Sequence, residues 1–143
     1  MRAATAGLGR YDIAAVAGVV HGRQRPLIAL VRGRAGRFDL ELWVRDGRTL
    51  SRMAGMAGVA DRVSNAAPGR LSTVVDVDGD GVDEIVVPAS DRRTLLIVDA
   101  DLQGLATRAS VALPAPIDRR PRMAEPGTLV VGLEDGSVWS VED

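Results

Sequence analysis

Cysteine is absent from the 143-residue chain, which excludes disulfides and every thiolate metal site. Lysine is absent too. All 18 basic residues are arginines scattered along the chain, a pattern that reads as a genome bias rather than a phosphate-binding device. With 18 basic and 19 acidic residues the formal net charge is −1, so nothing in the overall charge favours nucleic acid or an anionic membrane as partner. Histidine occurs once, at His21, and no serine sits in a Gly-x-Ser-x-Gly elbow, so no nucleophilic catalytic set is assembled. No apolar run approaches the 18 or so residues of a membrane span. The longest near the start, Ala14 to Val20, has Arg10 and Asp12 too close ahead of it for a signal peptide. If the protein is exported, the signal lies outside this chain. Aromatic residues make up only 3%, against 46% hydrophobic residues overall, so the core is expected to be Val, Leu, Ile and Ala. The length fits one domain.

What is present in excess is acid, concentrated at one place. Asp76-Val77-Asp78-Gly79-Asp80-Gly81-Val82-Asp83-Glu84 puts five carboxylates into nine residues. Such a loop either splays in water or folds around a cation, because close carboxylates repel. Gly79 and Gly81 can take positive φ without strain, so the chain can curl until the side chains at 76, 78 and 80 converge. Oxygen-only ligands at alternate positions suit a hard cation, and calcium better than magnesium.

The opening Asp76-x-Asp78-x-Asp80-Gly81 matches the start of an EF-hand loop, which then requires Glu at its twelfth position. That position is Val87, and the acid comes instead at the ninth, Glu84. The flanks, Leu71 to Val75 and Ile85 to Val87, are β-branched and strand-forming rather than helical. A strand, a calcium loop and a strand follow one another. Over about thirty residues this resembles the FG-GAP or VCBS repeats of integrin-alpha-like β-propellers, whose blades carry Asp-x-Asp-x-Asp-Gly-x-x-Asp between their first two strands. The resemblance implies that Asp76, Asp78, Asp80 and Glu84 supply side-chain ligands and Val82 its carbonyl to one Ca2+. Glu84 stands where the family usually has Asp, with a longer arm. Asp83 is expected to point to solvent.

The rest of the chain reads as strands, without a helical period. Ile13 to Val20 and Leu27 to Val31 are apolar, and Phe38 to Val44 alternates with Phe38, Leu40, Leu42 and Val44 on one face. Asp46-Gly47 marks a hairpin turn before an outer strand at Thr49 to Met53. Gly55 to Gly69 reads as a connection, and AGMAGVAD within it is the one place suited to a short helix. Arg93 to Ala100 and Ala106 to Leu113 flank the turn Asp101 to Gly104. Pro114 to Pro116 and Arg119 to Arg122 form a proline-broken crossing. Thr128 to Val131 and Ser137 to Val141 flank the hairpin signal Glu134-Asp135-Gly136.

Shifting the sequence by 58 superposes Pro26 to Leu30 on Glu84 to Pro88, and a shift of 44 superposes Leu129 to Val131 on Ile85 to Val87. Three blade-like units result, at about 10–55, 70–113 and 120–143, the last stopping after its third strand. The same shift of 58 sets Gly18, Val20, Gly22 and Pro26 against the four acidic ligands, so only the middle unit keeps a site. The fold expectation is therefore all-β: four-stranded antiparallel propeller-type blades in an open or partial array. The remaining blades of a longer propeller, or self-association, would cover the two outer faces.

In function the resemblance implies a non-enzymatic, calcium-stabilised interaction scaffold, placed outside the cell or in the periplasm, with a protein or carbohydrate ligand of unstated identity. The alternatives are a fragment of a propeller lyase or hydrolase whose active site lies elsewhere, and a homo-oligomeric lectin-like ring. Trp43 and Trp139 are read as core or inter-blade packing, His21 as a surface loop residue, and Arg119, Arg120 and Arg122 as a solvated loop.

Overall fold

A computed structural model describes residues 13–34, 37–61 and 71–142, and among these there is no helix. Eleven strands form three antiparallel sheets in chain order. The first holds β1 (Ile13–Val20), β2 (Leu27–Arg34), β3 (Arg37–Asp46) and β4 (Thr49–Val59). The second holds β5 (Thr73–Val75), β6 (Glu84–Pro88), β7 (Thr94–Asp101) and β8 (Gly104–Ala112). The third has three strands, β9 (Arg122–Glu125), β10 (Thr128–Gly132) and β11 (Val138–Glu142), with β10 in the centre. None of the sheets is closed.

Period-two patterning decides which residues meet. In β3, Phe38, Leu40 and Leu42 turn to one side and pack with Ile85, Val87, Val98 and Ala100 of the second sheet. The opposite side of that second sheet, Val86, Leu95 and Ile97, packs with Leu129, Val131 and Val141 of the third. The middle sheet is thus buried on both faces, which is why Ile85 to Pro88 of β6 reads as an unbroken apolar run instead of an alternating one. The sheets come close enough at β1 and β5 that a Cβ on Gly18 would lie 2.8 Å from Val74 Cβ. Backbone bonds also cross between sheets: Ala60 N–H donates to the Pro88 carbonyl at 2.9 Å, and Ile117 N–H to that of Arg92 at 2.6 Å.

Two expectations are corrected. The AGMAGVAD segment is no helix; Thr49–Val59 is one eleven-residue strand that runs well past Met53. Its register against β3 shifts twice, between Leu42/Trp43 and between Phe38/Asp39, leaving Met53 and Gly58 as extra residues. Gly58 takes φ = 80° at the second bulge. Each bulge flips the inside–outside alternation, so no period of two survives in the sequence. Trp139 does not pack away: it is 45% exposed on β11, beyond which no further strand lies among the described residues. Trp43 is buried on the side of β3 opposite Phe38 and Leu42.

Candidate metal centre

The acidic loop links β5 to β6, whose pairing of Val75 with Glu84 closes its base. Inside it, short carboxylate side chains take up backbone N–H groups that no strand partner could reach. Asp76 accepts from Gly79 and Asp80 on Oδ1, at 2.9 and 3.1 Å, and from Gly81 on Oδ2 at 2.8 Å. Asp78 Oδ1 accepts from Asp80 N–H at 3.1 Å, and Asp80 Oδ1 from Val82 N–H at 2.8 Å. This spiral needs left-handed backbone twice, supplied by Gly79 at φ = 77° and Gly81 at φ = 88°. Its result is convergence: one ligand atom from each of Asp76, Asp78, Asp80 and Glu84 lies within 4.8 Å of all the others. Val82 takes part here through its N–H.

Glu84 differs from the three aspartates in being buried, at 2% exposure. Burial pushes its carboxyl up to about 7. The hydrogen bond from Val77 N–H (2.7 Å, on Oε2) and the charge of Arg108 pull the other way, while Asp78 and Asp80 add to the rise. Burial also pushes Asp78 up, but hydrogen bonds from Asp80 and the Arg108 guanidinium outweigh it and hold Asp78 below the ordinary carboxylate value. The donor set is all oxygen, clustered, and heavily negative. That chemistry fits a hard divalent cation and offers nothing to a soft one.

The loop is tied to both neighbouring sheets. His21, in the β1–β2 turn, donates its N–H to Asp83 Oδ2 at 2.8 Å, and its ring Nδ1 lies 3.2 Å from the same oxygen. Asp83 N–H returns a bond to the His21 carbonyl at 2.8 Å. Asp83 therefore does not point to solvent, and His21, though exposed, is a tether. On the other side Gly127 N–H, in the β9–β10 turn, donates to the Val77 carbonyl at 2.7 Å. The three arginines of the proline-broken crossing, Arg119, Arg120 and Arg122, are exposed.

Sequence reasoning missed Arg108 altogether. It projects from β8 with Nη1 3.0 Å from Asp78 Oδ2 and 3.2 Å from Glu84 Oε1, and 3.8 Å from Asp99 Oδ1. A single arginine 24 residues beyond Glu84 carries no local signal of this; only the pairing of β6, β7 and β8 brings it there. Beside it a cleft of about 390 Å³ opens, lined by Arg23, Gln24, Asp99 and Asp101 as well as by the loop. The chain matches no family model and no curated protein.

Proposed function

We propose that this chain is a non-enzymatic calcium-binding module of the FG-GAP/VCBS kind, a structural and interaction scaffold. One Ca2+ would be held by Asp76, Asp78, Asp80 and Glu84 with the Val82 carbonyl. The observation that carries the reading is the convergence of four carboxylates from nine residues onto one point, on a loop whose two glycines take the left-handed backbone the curl requires. The face-to-face stacking of three sheets, the middle one buried on both sides, supports propeller-type blades as the architecture. The metal's task would be mechanical: to cancel the loop's charge and hold the bend between β5 and β6. Supplied mostly by protein oxygens, such a site leaves little room for a substrate.

A protein or carbohydrate ligand, bound through the loops, is the partner this reading calls for, in an extracellular or periplasmic setting where free calcium is plentiful. Among the described residues no helix is long and apolar enough to cross a membrane. Calorimetric titration of chelator-stripped protein with calcium is the test, with Asp78→Ala measured alongside. One site in the parent and none in the variant is the expected result. No heat and no thermal stabilisation up to millimolar calcium would remove the metal from the account.

A further inference from the structure

We propose that Arg108 is the loop's own counter-cation: it holds Asp78 and Glu84 until a divalent ion displaces it, and so sets the concentration at which the site fills. This rests on the metal reading above. The geometry carries it one step further. Arg108 Nη1 bridges two of the four converging carboxylates, at 3.0 Å to Asp78 Oδ2 and 3.2 Å to Glu84 Oε1. Glu84 Oε2 accepts Val77 N–H, and Oε1 is the oxygen on the guanidinium side. An ion drawing on Asp78 and Glu84 must therefore compete with the guanidinium for the same charge.

The competitor has somewhere to go. Asp99 on β7 already lies 3.8 Å from Nη1 and is half exposed, and with Asp101 it lines the cleft alongside. Arg108 moves from one acidic neighbour to another without leaving its strand. A guanidinium cannot lose its proton, so the occupant is present at every physiological pH. The apparent affinity for calcium is the intrinsic affinity reduced by the fraction of molecules in which Arg108 is engaged.

The test is calcium binding by calorimetry for the parent, Arg108→Gln, Arg108→Lys and Asp99→Asn, with melting temperatures taken in calcium and in chelator. Arg108→Gln is expected to bind about tenfold more tightly. It should also melt lower than the parent in chelator, because the carboxylates lose their counter-charge. Arg108→Lys should fall between the two, since a point charge replaces the fork. Asp99→Asn should bind calcium more weakly, by about threefold, because the displaced guanidinium loses its alternative partner. Should the glutamine variant fold poorly, the lysine and Asp99 variants still decide the matter. Equal or weaker calcium affinity in Arg108→Gln and Arg108→Lys overturns the role of Arg108 and leaves the metal site standing. Silence in the parent and all variants removes the site itself, and the proposal with it.

Discussion

Asp61 and Glu41 are buried carboxylates outside the acidic loop, and their surroundings differ in kind. Asp61 accepts the Ser72 hydroxyl at 2.7 Å, while its own carbonyl accepts Leu71 N–H at 3.2 Å. Burial pushes its carboxyl up to about 6, against hydrogen bonds from Ser72 and the charge of Arg120. Folding thus favours the protonated form. The stability it contributes is complete below pH 4 and is lost as the pH rises through 6, by about 3 kcal/mol. Urea denaturation in chelator should show a smaller fall in Asp61→Asn than in the parent, the remainder coming from Glu84, whose carboxyl is also raised; equal falls would mean that Asp61 does not titrate in this range. Glu41 instead meets two guanidinium groups, Arg32 at 3.1 Å and Arg52 at 2.8 Å, and accepts Trp43 Nε1–H at 3.2 Å. Glu41→Gln keeps an acceptor for the indole and should cost about 1 kcal/mol. Glu41→Ala removes this shared carboxylate from Arg32, Arg52 and the indole, and should cost about 3 kcal/mol in the same measurement. At this scale the four converging carboxylates were legible because they lie within nine residues at fixed spacing. Arg108, His21 and Ser72 were not, since their partners are brought to them only by the pairing and stacking of sheets.

Among the strands, those with one buried face or an unbroken apolar run declared themselves: β3 by alternation, β6 by its continuous Glu-Ile-Val-Val-Pro stretch between turn signals. β4 did not. Two bulges and two glycines erase its pattern, and only its long pairing with β3 makes it a strand. The close approach of β1 to β5 was equally hidden, although Gly18 is where it happens. Gly18→Val would drive its side chain into Val74, which a bare Cβ already meets at 2.8 Å. The expected cost is about 2 kcal/mol, read as a lowered urea midpoint with an unchanged slope. A neutral result would show that β1 shifts freely against the second sheet.

For the molecule as a whole, the stack of three sheets is joined by two apolar interfaces and, at one end, by the acidic loop with a tie to each side. If the loop holds a cation, its loading should be felt in both neighbours. Amide hydrogen exchange followed by NMR is expected to slow on adding calcium at Asp83, bonded to His21, and at Gly127, bonded to Val77, as well as within the loop. Protection confined to residues 76–84 would mean that the sheets hold together independently of it. The all-β class and the order of the sheets followed from repeated strand and turn signals. The burial of the second sheet on both sides depended on which faces meet, and that is written in three separate stretches at once.

The range of the loop's contacts also implies an order of events. Its internal hydrogen bonds span two to seven residues, whereas the tie to His21 spans 62. Contacts that close short loops form before those that close long ones. The curl at residues 76–84 is therefore expected to form early once a cation offsets its charge, with the flanking turns docking onto it later. A cation captured at that stage would hasten folding more than it would slow unfolding, so its main kinetic imprint belongs on the refolding arm.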